Sequence, residues 1–195
     1  MNPDDVRRHF TESEALLSGH FKLSSGLHSD RYLQCAKVLQ WPARAGALGE
    51  GLARKLAPFG AEAVVSPAMG GLIIGHEVGR GLGVRALFAE RVEGTFALRR
   101  GFALEQGEKV VVIEDVVTTG KSTREVLDLI RSVGAVPVAC GAIVDRRPRK
   151  EPALDGLPVR FLLELDVPAW DPASCPLCAL GQEITAPGSR HLPKG

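Results

Sequence analysis

The chain has 195 residues, with 24 Lys plus Arg against 23 Asp plus Glu and a formal net charge of +1. That length suits one domain able to bury a substantial core, and the near-neutral balance argues against a general nucleic-acid-binding surface. No run approaches the roughly 18 apolar residues of a membrane span, and MNPDDVRRHF is acidic where a signal peptide needs basic and then apolar residues, so the chain reads as soluble and cytoplasmic.

In chain order, the first twenty residues read as an amphipathic helix capped near Asp4 or Asp5, with Val6, Phe10, Leu16 and Leu17 inward. HFKLSSGLHSDRY, residues 20–32, is polar and Gly-containing, too irregular for a helix, and reads as a shaped loop or hairpin. Helical spacing returns from Pro42 to Pro58, with Ala45, Leu48, Leu52 and Leu56 on one face. From residue 62 a strand–turn–helix rhythm implies a parallel sheet with helices on its faces. Strands are expected at AVVSP (63–67), VRALFAE, VVVIED and VPVACGAIVD, and VRFLLELD reads as a last edge strand. Helices are expected at LIIGHEVGRGLG and TREVLDLIRSVG. ERVEGTFALRRG, residues 90–101, is charged and Gly-flanked and reads as an exposed, mobile excursion. No repeat or linker divides the chain.

Cysteines stand at 35, 140, 175 and 178. Cys35 and Cys140 read as packing residues. Cys175 and Cys178 have the spacing of half a zinc site, but a closed structural site needs four ligands. No neighbouring pair completes it and His191 adds one ligand at most, so the two read as a loop pair and no protein side chain is assigned to a metal.

The stretch VVVIEDVVTTGKST, Val110 to Thr123, concentrates the chemistry. Its GKST ending invites a triphosphate-binding P-loop, which would require Gly at position 115. That position is Asp, whose charge would repel a polyphosphate unless a sugar hydroxyl or metal ion intervened. The backbone amides of Thr118 to Thr123 at a helix N-terminus, with four hydroxyls, suit one monophosphate. Glu114 and Asp115 then lie about a sugar's breadth away, placed to accept from ribose hydroxyls. A buried strand with a polar helix cap would explain the valines and one hydroxyl, but not two carboxylates together at a strand end.

A β-strand, two acidic residues, two apolar residues and a Thr-x-Gly-x-[ST] turn resemble the phosphoribosyl pyrophosphate (PRPP) signature of the type I phosphoribosyltransferases. FKLSSGLHSDRY at 21–32 resembles the F-x-L-x-S-G-x-x-S-x-x-Y segment of the orotate phosphoribosyltransferases, and SPAMGGLIIG at 66–75 and VDRR at 144–147 match that family's other active-site stretches. The resemblance runs from the N-terminal helix to APGSR at 186–190. It implies an α/β type I fold, a central parallel sheet flanked by helices, with residues 1–40 and the C-terminal tail forming a small hood over a core of about 42–167. It also implies transfer of ribose 5-phosphate from PRPP to orotate, with Mg²⁺ held mainly by PRPP, in pyrimidine synthesis, by a homodimer whose mobile loop reaches the partner's active site.

Position by position, the resemblance assigns the PRPP 5′-phosphate to Thr118, Thr119, Gly120, Lys121, Ser122 and Thr123, with Val116 and Val117 leading into that turn. It assigns the ribose hydroxyls to Glu114 and Asp115, and the orotate site to Ser24, Ser25, Gly26, Tyr32, Thr118 and Arg146. Arg146 suits a carboxylate because its guanidinium is a planar, bidentate donor. Catalytic work falls to Asp115 and to Arg91, Arg99 and Arg100, whose cations would meet the leaving pyrophosphate, Arg91 also binding PRPP. Two departures set the chain apart from many members: Ser24 and Gly70 stand where those carry Lys, and Gly94 and Phe96 where their loop has Lys and His. A purine phosphoribosyltransferase would share the donor motif but lack SSGLHSDRY. A PRPP-sensing regulator would carry an added DNA-binding domain or a basic face.

Overall fold

The structure is a computed structural model, and it describes residues 1–23, 25–147 and 153–187. The first helix, α1 (Pro3–Glu12), is capped one turn earlier than the acidic residues suggest: Asn2 Oδ1 accepts from the Asp5 amide at 2.9 Å, and Asp5 closes the box by accepting from the Asn2 amide. Val6 and Phe10, four residues apart, are fully buried on its inner side. The helix does not extend to Leu16 and Leu17. Glu14 takes a left-handed φ of 52°, which ends the helical path, and the two leucines fall in a strand instead.

That strand, β1 (Leu16–Lys22), pairs antiparallel with β2 (His28–Leu33), so residues 20–32 are indeed a hairpin. Its register slips between Ser18 and Phe21, and the irregularity buries the consecutive side chains of His20 and Phe21, which a regular strand would send to opposite faces. Two helices follow, α2 (Cys35–Leu39) and α3 (Pro42–Leu56).

The main sheet is built from β3 (Ala63–Pro67), β4 (Arg85–Val92), β5 (Thr95–Leu98), β6 (Lys109–Val117), β7 (Val136–Asp145), β8 (Ala153–Leu154) and β9 (Leu157–Glu164), in the order β5-β4-β3-β6-β7-β9-β8. Its five inner strands run parallel and the two outermost are antiparallel to their neighbours. Helices α4 (Gly71–Leu82) and α5 (Lys121–Ser132) make the crossovers that parallel pairing requires.

Along β6 the pleat sends Val111 and Ile113 to one face, against Leu48 and Leu52 of α3 and Ile74 and Val78 of α4. Val110 and Val112 go to the other face, against Val126, Leu127 and Ile130 of α5. All of these are fully buried, and each contributes about 1.5–3 kcal/mol of transfer free energy. β6 is therefore clamped on both sides, and its C-terminal end is held firmly.

Two elements differ from the sequence expectation. Residues 90–101 begin not as an irregular excursion but as a hairpin, β4 turning into β5 through Glu93 and Gly94, with φ of 50° and 88°. Two consecutive left-handed residues match the right-handed twist of the flanking strands. The strand VRFLLELD is not at the edge, because Asp155 and Gly156 form a second turn of this kind and place β8 outside β9. Among the described residues after β9 the chain is largely irregular, with a short 3-10 turn at Pro172–Ser174 and one short α-helix, α6 (Pro176–Ala179). Among the described residues no helix is long and apolar enough to cross a membrane.

Candidate active site

Three loops meet beyond the C-terminal ends of β3, β6 and β7, the usual place for a ligand on an open parallel sheet. The ends of β6 and β7 are tied by the Arg146 amide donating to the Val117 carbonyl at 2.8 Å. The loop after β3 closes on β6 at Gly70. A β-carbon added there would lie 2.8 Å from Asp115 Oδ1, so the turn and the carboxylate are in direct contact. The residue that departs from the commoner Lys is thus one whose lack of a side chain seats Asp115.

Glu114 and Asp115 sit at the mouth of this cleft. Glu114 is only 8% exposed, and burial together with the Asp115 charge raises its pKa to about 8. Burial also raises Asp115, partly offset by the Val116 amide donating to Asp115 Oδ1 at 2.9 Å. Glu114 is therefore inclined to keep its proton at neutral pH; groups that donate to the carboxylate would drive it off.

β6 then runs through Val116 and Val117 into the exposed bend at Thr118 and Thr119. Gly120 follows with φ 74°, capping α5 in a conformation that other residues rarely adopt. The first amides of α5 have no side-chain cap at that Gly, and Lys121 N points to Thr119 Oγ1 at 3.3 Å. The bend is braced from below by Arg124, which donates to the Thr119 carbonyl at 2.8 Å. Lys121 is exposed, Ser122 half-buried and Thr123 buried. The result is an anion-shaped N-terminus on a rigid base.

Arg146 stands beside this bend, half-buried, and its buried Nε has no hydrogen-bond partner among the described residues. Burial pushes its guanidinium down from the ordinary value. A buried cation with a free donor is costly unless an anionic partner arrives. Arg147 plays a different part: it forks onto Asp145 at 3.1 and 3.0 Å and donates to the Ala153 carbonyl, fixing the loop from which Arg146 projects.

Sequence reasoning read Cys35 as a packing residue without placing it at the site. Its Sγ lies 3.9 Å from the Asp115 carbonyl, and burial and the Asp115 charge hold its thiol well above the usual range, so it is a protonated packing group at the base of the site. Nothing in the sequence pattern marks it, because the contact joins α2 to β6.

The hood residues are placed less directly. Ser24, like His191, lies outside the described residues. Ser25 and Gly26 sit on the exposed tip of the β1–β2 hairpin, which is closed by the Gly26 amide donating to the Leu23 carbonyl at 2.9 Å. Tyr32 packs its ring 5.7 Å from that of Phe21. The three loop arginines do not converge on Asp115 within the chain. Arg91 pairs with Glu125 and covers the Phe96 ring, Arg100 forks onto Glu90 at 2.9 Å, and the exposed Arg99 side chain makes no hydrogen bond or ion pair among the described residues.

Comparison with known proteins gives the family. The phosphoribosyl transferase domain family matches residues 36–172. An orotate phosphoribosyltransferase of Desulforamulus reducens is 46% identical over 98% of this chain and 100% of its own length, and one from Carboxydothermus hydrogenoformans is 50% identical over 95% and 97%. The chain belongs to the orotate phosphoribosyltransferases. The solved orotate phosphoribosyltransferase of Mycobacterium tuberculosis in complex with PRPP superposes with a TM-score of 0.68 over 84% of this chain and 97% of that one, at 20% identity, which is a likeness of fold. In this orotate phosphoribosyltransferase the cleft between the β3, β6 and β7 loops carries buried Glu114, half-buried Asp115 and an arginine whose Nε has no partner among the described residues.

Proposed function

We propose that this orotate phosphoribosyltransferase joins orotate to the ribose 5-phosphate of PRPP at the Glu114–Thr123 cleft, releasing pyrophosphate and forming orotidine 5′-monophosphate for pyrimidine synthesis. The observation that carries this reading is the run from buried Glu114 and half-buried Asp115 into a Gly-capped helix N-terminus, with the Arg146 Nε beside it lacking a partner among the described residues. The bend and α5 amides from Thr118 to Thr123 take the 5′-phosphate, and Glu114 and Asp115 accept from the 2′- and 3′-hydroxyls, which fixes the sugar at both ends. Arg146 takes the orotate carboxylate, with the Ser25–Gly26 tip and Tyr32 framing the ring.

Orotate nitrogen forms its bond to the anomeric carbon as the bond from that carbon to the pyrophosphate oxygen breaks, the electron pair leaving with pyrophosphate. Positive charge grows on the sugar, and the nearby Asp115 carboxylate stabilises it. Glu114, Asp115 and the hydroxyls of the Thr118–Thr123 turn offer hard oxygen groups to this cleft, a donor set that fits Mg²⁺ carried on PRPP, where it would neutralise the pyrophosphate. Water must be excluded, because it would hydrolyse the donor.

Arg91, Arg99 and Arg100 are the remaining cations for pyrophosphate. That Arg91 and Arg100 are paired with Glu125 of α5 and Glu90 of β4, and not with the cleft carboxylates, supports their serving a second subunit's cleft in a homodimer. The test is PRPP- and Mg²⁺-dependent loss of orotate absorbance, run against adenine and hypoxanthine as acceptors. Consumption of orotate alone is expected; faster turnover of either purine would replace this reading with a purine-directed one.

A further inference from the structure

Outside the cleft, the hairpin and the tail bring four metal-binding side chains to one point. His20 and His28 come from β1 and β2, and Cys175 and Cys178 flank the start of α6. One ligand atom from each lies within 4.8 Å of all the others. The sequence alone placed the cysteines as a loop pair, since the completing histidines stand about 150 residues away in the chain; the hairpin's register slip turns His20 inward to meet them.

The distances are those of a coordination cage. His20 Nε2 lies 3.1 Å from His28 Nδ1, 3.5 Å from Cys175 Sγ and 3.7 Å from Cys178 Sγ, and Cys178 Sγ lies 3.2 Å from His28 Nδ1. Tetrahedral bonds of about 2.0–2.1 Å to nitrogen and about 2.3 Å to sulfur put ligand atoms about 3.3–3.8 Å apart.

As hydrogen bonds alone, the same contacts compete. His20 Nδ1 lies 2.9 Å from the Gln182 carbonyl, which can only accept, so the proton of a neutral His20 is on Nδ1 and its Nε2 carries a lone pair. Three other groups, His28 Nδ1 and both sulfurs, crowd that single lone pair, which can accept from only one of them well. Around a cation every lone pair points to a common centre, and the Gln182 carbonyl is the outer partner that a metal-bound histidine usually has.

We infer that His20, His28, Cys175 and Cys178 form a structural zinc site that fastens the C-terminal tail to the N-terminal hairpin. Two thiols lose their protons to solvent as zinc binds, and two thiolates with two neutral imidazoles leave the centre uncharged. That neutrality suits a place where His20, His28 and Cys175 are 4%, 7% and 3% exposed. Four protein ligands close the tetrahedron, so the site has no position for substrate. Two N and two S ligands suit zinc over the hard cation of the cleft.

The metal would complete a junction already begun by the backbone. Lys22 N donates to the Thr185 carbonyl and Thr185 N to the His20 carbonyl, while His28 and Trp170 exchange both of their bonds. The otherwise irregular segment from 165 to 187 is thereby held at both flanks of the hairpin.

The test uses the full, untagged chain purified without chelator, with zinc as the probe. Elemental analysis should find one zinc per chain surviving gel filtration. A mercurial thiol reagent should release it to a colorimetric indicator. Cobalt substitution should give the intense visible bands of a tetrahedral site with thiolate-to-cobalt charge transfer. Cys178→Ser, a near-isosteric change at an exposed position, should keep the circular dichroism of the fold and lose the metal, as should His28→Ala. Failure of the wild type to retain zinc after dialysis against it would overturn the inference. So would a Cys175–Cys178 disulfide in the native protein, or full zinc occupancy in both variants.

Discussion

Gly70 and Asp115 meet across the cleft so closely that a β-carbon on Gly70 would stand 2.8 Å from Asp115 Oδ1. Gly70 has φ −59° and ψ −41°, a conformation open to any residue, so Gly70→Ala tests the contact and not the backbone. The methyl group should displace the carboxylate and lower kcat/KM for PRPP by about tenfold or more, since small misplacements at a reacting centre have effects of this size. Thermal unfolding should move little. Unchanged kinetics would mean that Asp115 adjusts freely and that its position is not what the turn provides.

Asp115→Asn keeps the size of the side chain and removes its charge. It should fold as the wild type does and lose at least about tenfold in kcat/KM, the scale of one charge-assisted hydrogen bond. Steady-state kinetics at saturating orotate check this, and wild-type values would remove Asp115 from the mechanism.

Glu114 yields a stability prediction with a definite sign. Its pKa is 4.5 in the unfolded reference and about 8 in the fold, raised by burial and then by Asp115. The folded state therefore binds the proton more tightly, and between those values the wild type loses stability as pH rises. Glu114→Gln carries no such proton. In the absence of ligand its melting temperature should match the wild type's near pH 4.5 and exceed it increasingly through pH 8. A pH-independent difference would show that Glu114 ionises in the fold at its ordinary pKa.

The arginine-bearing hairpin is tested by complementation. Arg99→Ala with Arg100→Ala in one chain and Asp115→Asn in another should each be inactive as pure dimers. After subunit exchange half the dimers are hybrids with one intact site, so about a quarter of wild-type activity should return. No recovery, with exchange shown independently by a size or affinity tag, would place the arginines' work within their own chain.

The parallel core was legible because its signals are local. Val110 to Ile113 are consecutive β-formers, and Gly120 stands where the strand-to-helix turn needs a left-handed residue. The carboxylate pair and the Gly-capped turn from Thr118 to Thr123 were legible for the same reason, since fourteen contiguous residues carry them. What escaped were the long-range relationships. Leu16 and Leu17 have helical spacing from Val6 and Phe10, but Glu14 breaks the path between them. Residues 90–98 look like a loose charged loop because one face of the edge hairpin meets solvent, and only Phe96 is buried. Cys35 against Asp115, Gly70 against the same carboxylate, and His20 and His28 against the tail cysteines depend on contacts that no local pattern encodes.

The claim that the buried, unpartnered Arg146 Nε awaits the carboxylate of orotate meets its most direct test in one specificity ratio. The ratio of kcat/KM for orotate to that for uracil, which lacks the carboxylate, should reach about 10⁴ in the wild type, because uracil leaves the guanidinium unpaired. In Arg146→Ala the ratio should fall by about a hundredfold through loss of the orotate rate, with the KM for PRPP little changed. A ratio that survives the substitution, or a wild type that turns over uracil as readily as orotate, would contradict the account.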